Sequence, residues 1–459
     1  MTAAVVVGGG IAGLAAAYEL ASAGIAVTLI DAGRAVGGKL RVSEVGGVAV
    51  DEGAEALVRR RPEGLELIAR LGLSDHLVSP AASTASVWAR GRLRPMPART
   101  VMGVPSEPGA LRGVLSAAEV ARVRADSWLP GGAPDGDVSV GHWLTKRLGR
   151  AVVDRLVDPL LGGVYAGRAD ELSLAATLPQ LPRDDRSALS AARRAVAEVP
   201  VSDEPIFATL RSGLGTLPAA LASAIERSGG TIVTGRAVRG LERTADGWRV
   251  MHGPTIDEQS VETEAVVLAV PASPAARLLS PVMPAAAAEL SGVESASMAI
   301  VTTAWRAADV AAGATGSGYL VPAVYGRPVK AVTLSSAKWA HLSGDVAVVR
   351  CSIGRFGDVS DLQRDDSDLV AAAVTELTTY AGFTGVPIDA RVSRWGGALP
   401  QYAVGHLERV ARIRGAVEAV PGLAVCGAAY DGVGIPACIG TARQAAASVT
   451  AYLRSRGTP

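Results

Sequence analysis

Gly8, Gly10 and Gly13 stand in the pattern Gly-x-Gly-x-x-Gly, and Asp31 follows at the distance a dinucleotide-binding turn requires. In that chemistry the first glycine permits a tight turn, the second lets the backbone approach a pyrophosphate, and the third lets a helix lie close to a sheet. The helix N-terminus then stabilises the phosphate charge through its unpaired N–H groups and its dipole. A carboxylate at position 31 can accept hydrogen bonds from ribose hydroxyls but would repel a 2′-phosphate. NADP is therefore disfavoured, and NAD and FAD both stay open on this motif.

The elements needed to hold these residues surround them. Residues 3–7 form a short apolar β-type run, and Leu14 to Ala23 is an Ala-rich stretch with good helix propensity, stopped by Gly24. Ile25 to Ile30 makes a second buried strand that ends on Asp31. Strand, turn, helix, strand and acid are in register, which an isolated glycine turn would not supply. An α/β fold with a Rossmann-type domain is expected.

The 459 residues, 49% of them hydrophobic, suffice for two or three packed cores. Lys plus Arg is 45 against 44 Asp plus Glu, a net charge of +1 that lacks the basic field nucleic-acid binding relies on, so no nucleic-acid partner is expected. Only Lys39, Lys146, Lys330 and Lys338 are lysines, leaving 45 − 4 = 41 arginines, so a single arginine is weak evidence for a site. Cys351, Cys426 and Cys438 show no C-x-x-C spacing and no nearby His in a ligand pattern, which argues against a disulfide framework and against a metal site. A reducing, cytoplasmic setting fits. The first apolar run is broken by four glycines and carries Glu19, and no other run is long enough to span a bilayer, so membrane contact is expected to be at most peripheral.

Later segments return to the nucleotide-binding layer: residues 213–270 with a strand at Thr231-Ile232-Val233 and another at Glu264 to Val270, and residues 421–446 with a strand into Gly427. Between the returns lie a largely helical insertion, 88–205, and a second, 281–394, whose runs Val329 to Leu334 and Val346 to Ile353 predict a mixed sheet. The nucleotide-binding domain is thus expected from 1–87, 206–280 and 395–459, with a discontinuous α+β substrate domain built from the two insertions.

Arg34-Ala35-Val36-Gly37-Gly38-Lys39 resembles the Arg-x-x-Gly-Gly segment that in two-domain flavin oxidases and amine oxidases runs on to the FAD phosphates, which favours FAD over NAD. Four further segments are similar to the oxygen-dependent protoporphyrinogen oxidase family, in particular to bacterial members acting on coproporphyrinogen III. They are Asp51 to Leu57 with Arg59-Arg60-Arg61, Asp158 to Gly167, Leu399 to His406, and Gly427 to Pro436, and the likeness runs in order from residue 4 to residue 447.

That resemblance implies a non-covalent FAD held by Gly8, Gly10, Ile11, Ala12, Gly13, Asp31, Ala32, Arg34, Gly37, Gly38, Lys39, Gly53, Ala54, Glu55, Val238, Trp395, Gly427, Val433, Gly434 and Ile435. It implies a porphyrinogen that loses six electrons in three flavin cycles, with molecular oxygen as acceptor, hydrogen peroxide as product and ferrochelatase as a downstream partner in heme biosynthesis. Arg61 falls where relatives carry a cation facing the substrate, whose propionates need such groups. Gly163 would let a backbone carbonyl approach the macrocycle, and Tyr402 would stack on it or hydrogen-bond to it; these two are the expected catalytic positions, with His406 expected to be structural. Protoporphyrinogen IX, with two propionates instead of four, is the alternative substrate. An amine oxidase or carotenoid desaturase, and a flavin-fold carrier without activity, are the rival functions.

Overall fold

Four-residue strands rich in Val, Ile and Leu bury every residue when helices cover both faces of a parallel sheet. Ala4–Val7, Val27–Ile30 and Ala265–Leu268 are of this kind, fully buried along their length. In the computed structural model, which describes residues 3–199, 204–311 and 315–456, they form the middle of a five-stranded parallel sheet. Thr231–Val233 pairs outside Val27–Ile30, and Leu423–Val425 outside Ala265–Leu268.

Alternation along the first strand divides the packing: Ala4 and Val6 belong to one core, Val5 and Val7 to another. The first core is closed by the helices Ile11–Ser22, Leu217–Arg227 and Ile435–Arg456, where Leu14, Leu20, Leu221 and Ile439 are sealed from water. Each such side chain contributes about 1.5–3 kcal/mol of burial. The second core lies under Ala272–Leu279, Pro284–Ser291, His406–Glu418 and a three-stranded antiparallel sheet around Trp248.

The other sheet has seven strands, dominated by Ser295–Arg306 and Asp389–Pro400, which pair antiparallel from Ser295 opposite Pro400 to Ala304 opposite Asp389. Two boundaries differ from the sequence expectation. This sheet runs on past residue 394, so Trp395 sits in its edge strand, and it also takes in Ser86–Ala89 and Arg92–Pro95, so the first insertion begins as a hairpin before turning helical. Gly396 and Gly397 lie where the register with Ser295–Arg306 shifts, Gly397 at φ +54°, and pairing resumes at Leu399 and Pro400. Helices at 117–124, 140–148, 158–165 and 188–198 then build a third core. Residues 200–203 and 457–459, at the ends of expected segments, lie outside the described residues. The last helix starts at Ile435 and runs to Arg456.

Candidate functional site

Gly8 has φ +106° and donates its N–H to Ile30 O at 2.8 Å. A Cβ at Gly8 would come 2.7 Å from Ala269 O, and one at Gly13 would overlap Gly8 O, so the first helix rests on the turn with no room for a side chain. Gly10 is the opposite case: nothing lies within 4 Å of where its Cβ would be, and no side chain caps the helix that begins at Ile11. The first-turn N–H groups of Ile11, Ala12 and Gly13 thus border an open cradle, which fits a pyrophosphate. Gly37, at φ +127°, donates to Gly9 O at 2.7 Å, and a Cβ on Gly38 would stand 3.2 Å from the Gly10 Cα. The two glycine segments are therefore packed back to back, with the exposed Arg34 just before them.

Asp31 accepts from Gly9 N at 2.5 Å and from Gly33 N at 2.7 Å. The carboxylate therefore braces both loops, and its remaining lone pairs are what a ribose would meet. Gly235 N donates to Gly33 O at 2.7 Å and Arg236 N to Asp31 O at 2.9 Å, which brings the chain leading to Val238 alongside Asp31 and the exposed Ala32.

At the other end of the cradle a Cβ on Gly53 would overlap Lys39 O, and the Trp395 ring stands 3.4 Å from that Cβ position. Trp395 Nε1 donates to Glu52 O at 3.2 Å, and the Arg41 guanidinium lies 5.4 Å from the indole centroid. Lys39 donates to Ala398 O in the same edge strand. Its side chain is open to solvent-sized contact yet hemmed in by protein closely enough that burial lowers its pKa, with Cys438 nearby. Lys39 and Ala54 are both exposed. Burial raises the Cys438 thiol to about 11, against the pull of Lys39 and Arg61.

Glu55 departs from its expected role. Its carboxylate bonds Lys338 at 2.7 Å, Arg350 at 2.8 Å and Ser335 at 3.1 Å, all on the seven-stranded side. Burial would raise its pKa, but the Lys338 and Arg350 cations outweigh burial and hold it at about 2. Arg350 also donates to Gly53 O, so this ion cluster clamps the cradle to the second sheet. Any cofactor contact by Glu55 is left to its backbone. Asp51, close by, accepts from Leu214 N at 3.0 Å and Gly215 N at 2.7 Å, and burial raises its carboxyl to about 6 despite those donors.

The last turn of the site runs from Gly427, which has φ +124° and donates to Thr441 Oγ1 at 3.0 Å, to Ile435, where the final helix begins. Val433 packs on the third core and Gly434 is exposed. Arg61, the N-cap of Pro62–Arg70, holds Nη1 3.7 Å from where a Gly432 Cβ would be, and its bond to Glu63 is a weak, exposed 3.3 Å pair. Its guanidinium is thereby presented beside this turn. Arg59 turns instead to Ser79 Oγ at 3.3 Å.

Gly163 lies inside the helix Asp158–Tyr165, not in a turn, and is exposed on its last turn, among the carbonyls a helix leaves without an intrahelical donor. Tyr402 does not take the expected place. It is 2% exposed in the third core, stacks on His406 at 3.8 Å, and donates its hydroxyl to Ala428 O at 2.6 Å. The phenol has no donor left for a substrate. His406 is structural, with Nε2 3.0 Å from Tyr430 O and its pKa lowered by burial.

Sequence reasoning missed Arg41, Lys338 and Arg350. The signal available was the scarcity of lysine: Lys330 is buried and Lys338 pairs with the half-buried Glu55. Among the described residues no cluster of His, Cys, Asp and Glu could hold a metal ion, and no helix is long and apolar enough to cross a membrane.

The family described as flavin containing amine oxidoreductase matches residues 11–450. A coproporphyrinogen III oxidase from Mycobacterium tuberculosis (strain ATCC 25618 / H37Rv) is 40% identical over 460 residues, covering 97% of this chain and 96% of that relative. A protoporphyrinogen oxidase from Bos taurus is 29% identical over 493 residues, covering 97% of this chain and 98% of that relative. A crystal structure from Exiguobacterium sp. 255-15 superposes with a TM-score of 0.85 at 31% identity, covering 98% of each chain.

Proposed function

We propose that this chain, which belongs to the flavin-containing amine oxidoreductase family, oxidises coproporphyrinogen III to coproporphyrin III, with three O2 reduced to three H2O2. The observation that carries this is a dinucleotide cradle at Gly8–Gly13 and Gly37–Gly38 that runs on to Lys39, Gly53 and Trp395, with Arg61 beside the turn at Gly432. A bound FAD supplies hydride acceptance from the meso carbons and electron transfer to oxygen.

The chain's own residues do the rest. Uncapped N–H groups at Ile11 to Gly13 and Gly38 hold the phosphates, while Asp31 and Val238 flank the adenosine. Lys39, Gly53 and Trp395 wall the flavin end, and Gly434 opens the helix at Ile435 toward it. Arg61 attracts a propionate, and the Gly163 carbonyl accepts from pyrrole N–H groups as positive charge develops on the ring. Three buried thiols, none in a disulfide, fit a cytoplasmic setting and a non-covalent cofactor, with product passing to a ferrochelatase.

The greater identity to the coproporphyrinogen oxidase than to the protoporphyrinogen oxidase supports the four-propionate substrate. Aerobic turnover of both porphyrinogens side by side, followed by porphyrin fluorescence and with a polyamine control, tests the assignment. Faster coproporphyrinogen oxidation is expected; oxidation of the polyamine alone would overturn it.

A further inference from the structure

Behind the helix that carries Gly163 lies a pocket of about 330 Å³, partly open to solvent, whose charged groups have no role in the chemistry above. Its wall includes Gly162 and Val321, the neighbours of Gly163 and of Leu320, whose Cδ2 lies 3.9 Å from where a Gly163 Cβ would be. The pocket therefore adjoins the carbonyl edge assigned to the macrocycle.

Its acids are already engaged. Arg150 bonds Asp154 at 2.6 Å and Asp170 at 2.8 Å, and Asp158 accepts from Ala169 N at 2.8 Å. Its other cations bind only carbonyls: Arg355 donates to Arg327 O at 3.1 Å and Val321 O at 3.2 Å, and Arg168 to Phe356 O at 3.1 Å. Lys330 is the exception. It is 4% exposed, and its ammonium has no hydrogen-bond partner. Four cations against three carboxylates leave the lining one positive charge in excess, 4 − 3 = +1. Burying an unpaired cation beside another is unfavourable unless an anion or a deprotonation relieves it.

We propose that this pocket is a carboxylate subsite in which Lys330, backed by Arg355, takes one propionate arm of the tetrapyrrole. The inference rests on the functional reading above and adds a second cation, remote from Arg61, that counts propionates. Burial and then Arg355 push the Lys330 pKa down to about 7. A carboxylate favours the ammonium, so affinity weakens as pH rises through that range. The other charged groups lining the pocket are Arg150, Asp154, Asp158, Arg168 and Asp170.

The test compares parent, Lys330→Met and Lys330→Gln, each as FAD-loaded enzyme. Fluorescence quenching gives the affinity for coproporphyrin III and for protoporphyrin IX, and turnover gives KM. Both variants are expected to keep their flavin and to lose about tenfold in coproporphyrin affinity, with a smaller loss for protoporphyrin. The parent's KM should rise above pH 7, and the variants' should stay flat. Unchanged affinity and an unchanged pH profile would overturn the subsite, as would a loss of sensitivity to added free propionate with coproporphyrin binding intact. A parent that binds coproporphyrin but oxidises neither porphyrinogen would sink the functional reading alone.

Discussion

The nucleotide cradle and the macrocycle wall are built by different means. The cradle is mostly backbone: Gly8, Gly13 and Gly37 are where they are because no side chain fits, and the helix N-terminus carries no side-chain cap. The wall proposed for the macrocycle and the clamps around it are mostly side chains contributed by distant segments, with Arg61 brought to Gly432, Lys39 to Ala398, and Glu55 to Lys338 and Arg350. Backbone sites tolerate no substitution at the glycines that pack against backbone but can be recognised from local sequence. Side-chain sites depend on which partner each charge finds.

The largest effect that would sharpen this contrast is Gly13→Val, whose side chain must displace the Gly8 carbonyl. Flavin per mole of purified protein should fall to near zero, with a stability loss of about 3 kcal/mol or more. Gly10→Ala, placed in open space, should fold normally and lose only cofactor affinity. Equal flavin retention in the two variants would break the distinction.

Next is Glu55→Gln, which leaves Lys338 and Arg350 short of a buried counter-charge and should cost about 3–5 kcal/mol in denaturant unfolding. The folded Glu55 pKa of about 2 lies below its unfolded value, so its contribution is complete above the unfolded pKa and is lost as pH falls toward 2. The parent should show that acid slope more steeply than Glu55→Gln; identical slopes would remove the cluster from the stability account.

Arg61→Ala should raise the coproporphyrinogen KM by about tenfold, a charge-assisted hydrogen bond's worth, with flavin content unchanged. Tyr402→Phe is the mildest. It should cost about 1 kcal/mol in stability and alter kcat less than twofold, because its hydroxyl serves Ala428 O. A tenfold fall in kcat would return Tyr402 to the substrate.

The same contrast explains what the sequence disclosed. The strand, turn and helix of residues 4–22 and the acid at 31 follow from local propensity and glycine spacing. That Asp31 would brace Gly9 and Gly33 depended on loop conformations that spacing does not fix. Tyr402 looked like a substrate contact because it follows a motif, yet its partners His406 and Ala428 turn it inward. Trp395 was assigned to the wrong layer because Gly396, Gly397 and Pro400 disguise a strand that only its neighbour completes. The buried charge partners of Glu55 lie nearly 300 residues away, beyond any local pattern.

The most direct test mixes the purified yellow protein with coproporphyrinogen III without oxygen and follows flavin absorbance. Bleaching by the porphyrinogen, reversed on admitting air with porphyrin and peroxide formed together, is the result predicted. A flavin spectrum that coproporphyrinogen III leaves unchanged would contradict the account.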